Sequence, residues 1–208
     1  MKPGVGSGAT FEPMPAGTYP ARLYSIIHIG TSPFEYMGET KSLDKVRLTF
    51  EFPTKTKVFK EENGEQPYVL SLEFTYSLSE RANLRKFLEG WQGKQMTDME
   101  AIDTDLLEWV GKDGLANVVH STAKNGNTYA NIATMSPLPE GLVCPPAVNE
   151  PFILNYGEDW DQAKFDSLPQ FLKEKMIATD QYQSKFNHPS KTEQKPEEDE
   201  ISLEDIPF

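Results

Sequence analysis

Cysteine and histidine are scarce in this sequence. Cys144 is the single cysteine among 208 residues, which excludes an intrachain disulfide and a zinc site made of several thiolates. The histidines are His28, His120 and His188, and their spacing does not fit a set of metal ligands. We therefore expect no metal and no cofactor, and a lone thiol suits a reducing cytoplasm.

Long apolar runs are also missing. No stretch approaches the roughly 18 apolar residues of a membrane helix, and residues 1–16 lack the apolar core of a signal peptide. Glycine and proline are frequent in residues 1–16, which hold little that a core could bury, so they are predicted to form a flexible N-terminal segment. The expected protein is soluble and has no membrane partner.

Catalytic motifs are few. There is no P-loop, and the glycines of residues 6–8 precede no strand-to-helix turn that could hold a phosphate. Cys144 has no evident activating base. The acidic residues within 158–161 could in principle bind Mg²⁺ in a nuclease, although acidic loop clusters are usually only solvated. We expect no catalytic residue and no enzyme, and a metal-dependent nuclease is the least favoured alternative.

Positive charge is in deficit, because 20 lysines and arginines face 32 carboxylates, for a net charge of -12. Part of this excess lies at the C-terminal end, where residues 191–208 hold seven carboxylates against two lysines. The rest of the chain is still acidic, so a nucleic-acid site must be a local patch. Residues 41–60 supply such a patch, with six basic side chains against Asp44 and Glu51.

Alternation of apolar and polar residues predicts five β-strands. The first is predicted for residues 18–29 and the second for residues 43–52. The third, residues 68–76, leaves open whether its apolar side chains meet the core or a ligand. Residues 115–122 and 128–135 are predicted as a hairpin, because an Asn-Gly pair lies between them.

Helical patterns follow the third strand. A capping box at residues 77–80 is predicted to begin a helix that ends before Gly93, and a second box at residues 97–100 begins a shorter one. The apolar positions of the first helix recur at helical spacing: Leu84, Phe87, Leu88 and Trp91. Prolines beyond Pro137 predict an extended strap, and residues 165–176 predict a C-terminal helix. The apolar side of that helix is assigned to Phe171, Leu172 and Met176.

Three strands, a helix and two strands is the order of the OB-fold. The fold class expected is therefore mainly β, a five-stranded Greek-key barrel with a helix between strands 3 and 4, and such barrels bind oligonucleotides on one face. Residues 17–137 are assigned to this domain. Residues 138–186 form the strap and C-terminal helix, packed on the barrel or on a partner subunit, and residues 187–208 form a disordered linker with an acidic tip.

A single-strand binder needs cations for phosphates and aromatic faces for bases, since stacking is worth about 1–3 kcal/mol per base. Residues 41–60 supply the cations, with aromatic residues on both sides. The predicted DNA contacts are Tyr24, Phe34, Tyr36, Lys45, Arg47, Lys55, Lys57, Phe59, Lys60, Lys124 and Tyr129. Phe34 and Tyr36 are placed in the loop before the second strand. The alternative role for each aromatic residue is ordinary packing in the core or a loop. The alternative for the lysines is that they lie on a solvated strand face without binding DNA.

The acidic C-terminus closes on a short apolar ending. A polar segment of this kind does not fold alone, and its ending suits a partner pocket that holds one aromatic ring beside basic side chains. The predicted protein-docking tip is Glu204, Asp205, Ile206, Pro207 and Phe208. The alternative is a tail that only improves solubility.

The ending Asp-Ile-Pro-Phe resembles that of bacterial single-stranded DNA-binding proteins (SSB), with glutamates in place of that family's aspartates. The sequences at residues 15–22, 117–120 and 129–133 resemble a family of small early-region proteins of tailed bacteriophages, regarded as single-stranded DNA-binding proteins. This second resemblance covers roughly residues 14–180. It implies a cytoplasmic protein of a bacterial host cell, with replication and recombination proteins docking on the tip.

The function expected is binding and protection of single-stranded DNA, without sequence preference, in DNA replication, recombination and repair. Partner recruitment through the tip accompanies it, and a homo-oligomer is left open. The main alternative is an adaptor or inhibitor that mimics the host SSB tip to engage host replication proteins without binding DNA. Charge reversal within residues 41–60 separates the two, because only a DNA binder would respond.

Overall fold

β-strands dominate the computed structural model, which describes residues 12–124 and 126–186. The strands are β1 (Gly17–Tyr36), β2 (Glu39–Val58), β3 (Glu65–Thr75), β4 (Asp113–Thr122), β5 (Thr128–Ser136) and β6 (Phe152–Leu154). The α-helices are α1 (Asn83–Gln92), α2 (Asp98–Asp103), α3 (Gln162–Ser167), α4 (Gln170–Ile177) and α5 (Asp180–Phe186). The predicted docking tip and disordered linker lie outside the described residues. Within the described part, no helix is long and apolar enough to span a membrane.

The strands form one sheet in the order β3-β2-β1-β4-β5, with every neighbouring pair antiparallel. The short β6 pairs in parallel with the middle of β1, beyond the stretch that β4 occupies. The sheet is not closed, since β3 and β5 share no ladder among the described residues, although some of their Cα atoms approach within 8 Å. The mainly β class predicted from alternation is confirmed.

The first two strands form a hairpin longer than predicted. Its turn consists of Met37 and Gly38, with φ of 53° and 80°, and two successive positive φ values match the twist of a two-residue hairpin. Phe34 pairs with Lys41 and Tyr36 with Glu39. The prediction that Phe34 and Tyr36 lie in a loop is therefore wrong, because β1 continues through them to the turn.

The second strand also runs further than predicted. It was predicted to end at Phe52, but β2 continues through Pro53 to Val58, with a register shift between Phe52 and Thr56. Proline has no N–H for the ladder and is accommodated where a bulge interrupts pairing. This bulge determines which basic side chains of β2 share a face.

One face of the sheet, here called the inner face, packs on α1. Leu84, Leu88 and Trp91 are buried, as their helical spacing predicted, and Trp91 Nε1 donates to the Asp113 carbonyl at 2.8 Å. The predicted capping box at residues 77–80 is wrong: α1 begins at Asn83 after Ala82, without a side-chain cap. The second predicted box is confirmed at the start of α2, where Thr97 and Glu100 cap one another.

The C-terminal segment packs on the opposite face of β1. Its core comprises Ile27, Ile29, Leu154, Phe165, Leu168, Leu172 and Met176. The single helix predicted over residues 165–176 is two helices, because the chain leaves α3 at Leu168 and Pro169 precedes α4. Proline suits the start of a helix, where its missing N–H costs nothing.

The proline-rich strap is held by a buried carboxylate. Glu51 of β2 is fully buried and accepts from Asn149 N and Asn149 Nδ2, both at 2.8 Å, and from Val148 N at 3.3 Å. Arg22 Nη1 lies 3.6 Å from Glu51 Oε1 and balances its charge. The strap therefore covers the sheet at the Glu51 end of β2.

Gly114 of β4 lies against the α1 core with no room for a side chain. A Cβ there would overlap Trp91 Nε1 and come within 2.7 Å of Met135 Cε. Gly114→Ala should therefore lower the free energy of unfolding by about 1–3 kcal/mol, measured by urea denaturation. As a control, Gly38→Ala in the β1–β2 turn meets nothing within 4 Å and should cost only about 1 kcal/mol, from its positive φ of 80°. Equal stability of Gly114→Ala and wild type would contradict this packing.

Candidate nucleic-acid interface

The face of β2 and β3 that points away from α1, here called the outer face, carries a row of polar side chains. Successive residues of a strand point to opposite faces, and Val46, Leu48 and Phe50 point into the core. The outer-face pairs across the ladder are Lys45 with Thr75, Arg47 with Glu73, Thr49 with Ser71, and Glu51 with Val69. The row is open to solvent at Lys45 and is covered by the strap at Glu51.

Glu73 is the centre of an ionic bridge between the sheet and α4. Arg47 Nη1 donates to Glu73 Oε1 at 2.8 Å, and Lys175 Nζ of α4 lies 3.0 Å from both carboxylate oxygens. Burial acts to raise the pKa of Glu73, but the hydrogen bond and charge of Lys175, and then Arg47, outweigh it, and the pKa is lowered. Glu73 therefore stays ionised at neutral pH, and two cations surround one anion.

An apolar cavity of about 290 Å³ lies beside Arg47, between the sheet and α4. Its aromatic walls are Tyr24, Phe152 and Phe171, and its polar walls include the hydroxyls of Thr49 and Ser71. Phe171 is 49% exposed, and the guanidinium carbon of Arg47 is 5.6 Å from its ring centroid. We call this space the aromatic cavity; it combines open ring surface with a cation.

Tyr24 reaches the aromatic cavity because of a bulge in β1. The ladder with β2 skips from Leu23 to Ser25, and an unpaired bulge residue is re-aimed relative to its neighbours. Burial raises the pKa of the Tyr24 phenol, and the nearby Glu51 carboxylate raises it further. The hydroxyl therefore remains protonated at neutral pH and can donate a hydrogen bond.

A second cavity, of about 560 Å³, lies at the Lys45 end of the outer face, where β2 and β3 meet the start of α1. Its lining is more polar and includes Lys45, Glu73, Thr75, Ser77, Ser79 and Arg81. We call it the basic cavity. The Arg47–Glu73 pair separates the two spaces, since Arg47 lines the aromatic cavity and Glu73 lines the basic one.

Four residues predicted to continue the basic track lie at or past the bulge of β2, Lys55 within it and Lys57, Phe59 and Lys60 beyond it. Lys57 pairs with Gln66, which lies two residues from the core residue Tyr68, so Lys57 shares the inner face. The contacts of this group are local: Lys57 with Glu12 at 3.1 Å, Lys60 with Glu62 at 3.8 Å, Lys55 over the Tyr19 ring and Phe59 against Tyr68. The group lies roughly 40 Å from Lys45 along the strand.

The remaining predicted residues lie near the two hairpin turns. Phe34 is half-buried near the tip of the β1–β2 hairpin, and Tyr36 is the last residue of β1. Lys124 is exposed at the β4–β5 turn, and Tyr129, the second residue of β5, is 40% exposed. The structure therefore brings Tyr24, Lys45 and Arg47 together on the outer face. The predicted residues that line neither cavity are Phe34, Lys55, Lys57, Phe59, Lys60, Lys124 and Tyr129.

The sequence predictions missed the contributions of α4 and of residues 77–81. Phe171 was assigned to the apolar side of its helix, yet Leu172 and Met176, four residues apart, form the buried stripe. Phe171 and Lys175, also four residues apart, lie on the neighbouring row that faces Arg47 and Glu73. Two adjacent apolar residues cannot occupy one narrow helical stripe. This rule could have predicted that Phe171 lies outside the buried stripe of Leu172 and Met176.

The Cys144 thiol and the His28 imidazole, which could be reactive in another setting, are buried or paired in this structure. Cys144 is buried, and burial together with the charge of Asp113 raises the pKa of its thiol to about 11, so it is protonated at neutral pH. His28 Nε2 lies 2.7 Å from Asp44 Oδ1, and the ring contacts Tyr76 and Tyr156 edge-on. Among residues 12–124 and 126–186, no group of three or more His, Cys, Asp or Glu side chains could hold a metal ion.

No protein-family model matches this chain, and no curated protein matches it. Its function must therefore be inferred from its own residues. The residues most informative about function are those that line the two outer-face cavities and those of the terminal Asp-Ile-Pro-Phe sequence.

Proposed function

We propose that this chain binds single-stranded DNA without sequence preference along the outer face. The observation that carries the proposal is the aromatic cavity, where the open ring of Phe171 and the ring of Tyr24 flank the Arg47 guanidinium. Every base has a face that can stack on a ring, so stacking tolerates any sequence, and arginine adds a cation for ring faces or phosphates.

An OB-like barrel is the fold that we propose for this sheet. The order β3-β2-β1-β4-β5 is that of a five-stranded OB barrel opened between β3 and β5. OB-folds bind oligonucleotides on the face of strands 2 and 3 and with the loops that join strands 1–2 and 4–5. The outer face lies on β2 and β3, while Phe34 and Tyr36 lie beside one of these turns and Lys124 and Tyr129 beside the other.

Local charge makes the proposal compatible with a net charge of -12. The outer face presents Lys45, Arg47 and Lys175 against Glu73, and Glu51 is buried under the strap. An oligonucleotide would therefore meet a locally cationic surface on an acidic protein. The acidic remainder would repel DNA from other surfaces and limit unspecific contact.

The biological role that we propose is coating and protecting exposed strands during replication, recombination and repair, in the cytoplasm of a bacterial host. Support for recruitment of partner proteins comes from the sequence, whose acidic end closes on Asp-Ile-Pro-Phe. A short apolar motif at a charged terminus is a recurrent form of peptide recognition. If the chain is instead an adaptor that carries the tip without binding DNA, the wild-type protein will not bind oligo-dT.

Phe171→Ala should weaken binding of a fluorescein-labelled oligo-dT by about 5- to 100-fold, the loss of one stacked base. The loss should be nearly independent of salt, because stacking releases few counterions. Fluorescence anisotropy measures it, with the matching duplex and RNA as competitors. The control is Ile177→Ala on the same helix, which is 40% exposed but lines neither cavity.

Two outcomes would count against this function. If the wild-type protein does not bind oligo-dT at 50 mM salt, the adaptor class replaces DNA binding, and the partner of Phe208 becomes the target. If Phe171→Ala and Ile177→Ala bind equally well, the aromatic cavity is not the stacking site. A thermal melt of each variant verifies that the fold is retained.

A further inference from the structure

Two cations line the basic cavity, and no side chain that the structure describes neutralises them. Lys45 of β2 is half-buried and Arg81, two residues before α1, is exposed. In the described part of the chain, the side chain of neither residue forms an ion pair or a hydrogen bond, whereas the side chains of Arg47, Arg85 and Lys175 all contact carboxylates. Two unpaired cations on the walls of one cavity favour an anionic ligand.

The single carboxylate that lines the basic cavity does not cancel this charge. Glu73 is already contacted by Arg47 at 2.8 Å and by Lys175 at 3.0 Å, so its charge is balanced from outside the cavity. Among residues 12–124 and 126–186, no other acidic side chain lines this cavity. The charge presented to a ligand is therefore that of Lys45 and Arg81.

Hydroxyl groups complete the lining. Thr75, Ser77 and Ser79 contribute three of them, and Ser77 Oγ accepts from Ser79 N at 3.3 Å, which fixes the short turn before Arg81. Arginine offers a planar fork that matches two phosphate oxygens, lysine offers a point charge, and hydroxyls can donate to the remaining oxygen. This combination of donors is suited to a tetrahedral oxyanion.

We infer that the basic cavity is a phosphate-binding site, and that its ligand is a phosphodiester of the bound single strand. The inference rests on the proposed function, because the source of the phosphate is the DNA backbone. The geometry supports one continuous path: Lys45 is two residues from Arg47 on the same face, about 7 Å along the strand. A strand with a base in the aromatic cavity thus has its backbone directed toward Lys45 and Arg81.

The salt dependence of oligo-dT binding tests this site. For single strands the slope of log K against log salt changes by about 0.7 for each phosphate contact. Arg81→Ala should reduce the slope by about this amount and weaken binding by about 3- to 10-fold at 50 mM salt, equally for oligo-dT and a mixed sequence. Arg81→Lys should restore the slope and only part of the affinity, since it keeps the charge but loses the fork.

Lys86→Ala is the matched control, because Lys86 lies on α1 one turn beyond Arg81 and lines other cavities. Its slope should equal that of the wild type. An unchanged slope for Arg81→Ala, with Phe171→Ala still impaired, would overturn the phosphate site and leave the proposed function intact. Absence of oligo-dT binding by the wild type would overturn both.

Discussion

Lys45→Glu combined with Arg47→Glu is expected to reduce the affinity for oligo-dT by about 100-fold or more at 50 mM salt. Both cations lie on the outer face, so the double reversal removes two contacts with the strand and adds two repulsive charges. The salt slope should fall by about 1.4, twice the value for one phosphate on a single strand. Anisotropy titrations from 50 to 300 mM salt measure both quantities.

A control variant separates the local effect from the change in net charge. Lys94→Glu with Lys112→Glu changes the net charge equally, but Lys94 pairs with Glu100 and Lys112 lies over Trp109, away from both outer-face cavities. This control should retain most of the affinity, within about threefold of wild type.

An affinity of the Lys45→Glu and Arg47→Glu variant close to that of the wild type would remove the outer face from consideration. The group beyond the bulge would then be the next candidate, since Lys55 and Lys57 were predicted on equal grounds. Circular dichroism melts must accompany the titrations, because Arg47→Glu places two carboxylates opposite each other across the ladder, which is unfavourable.

Glu51→Ala is expected to destabilise the protein by about 3–5 kcal/mol, the usual result of removing one partner of a buried charge pair. Arg22 would keep a buried charge with only Asp113, at 2.7 Å, to balance it. The amide hydrogens of Val148 and Asn149 would lose their acceptor. Urea denaturation measures the loss, and Glu51→Gln should cost less, because the amide oxygen still accepts.

Glu65→Ala provides the comparison for this experiment. Glu65 is an exposed residue of β3 whose carboxylate accepts from Thr56 Oγ1 at 3.1 Å, and its removal should cost less than about 0.5 kcal/mol. Proteolysis of the strap should accelerate in Glu51→Ala and not in Glu65→Ala. Equal stability of the two variants would contradict the anchoring role of Glu51.

The sequence contained enough information to predict the main elements of the sheet. Strict alternation identified the middle of β2, and an Asn-Gly pair identified the β4–β5 hairpin. Helical spacing identified the buried side chains of α1, and a capping box identified the start of α2. These patterns are local, so neighbouring residues suffice to reveal them.

Element ends were less predictable, because tertiary contacts decide them. Ser77 binds the turn amide of Ser79 rather than the first turn of a helix, and both arrangements use the same sequence pattern. The β1–β2 hairpin continues past Pro33 and Phe34, where alternation no longer distinguishes strand from loop. Backbone pairing between the two strands replaces that missing signal.

The candidate site was predictable only in part, because a shift in the pairing register of β2 and β3 changes which side chains share a face. Lys45, Arg47 and Lys57 all lie within the basic stretch of sequence, yet the bulge after Phe52 turns Lys57 to the other face. A shift in pairing moves every following side chain, and no single-strand pattern records it. Phe171 and Arg81 join the site from distant segments, so only the folded chain brings them to it.

The parallel pairing of β6 with β1 bears on where this protein can be shortened. Residues 17–137 suggest a minimal barrel, but a chain cut after Pro137 would lack β6, which covers Ser25, Ile26 and Ile27. It would also leave Glu51 without the strap amides. The cut would also uncover Ile27 and Ile29, which pack on the C-terminal segment. A bare strand edge beside exposed isoleucines is a template for self-association, so we expect a chain shortened to residues 17–137 to aggregate.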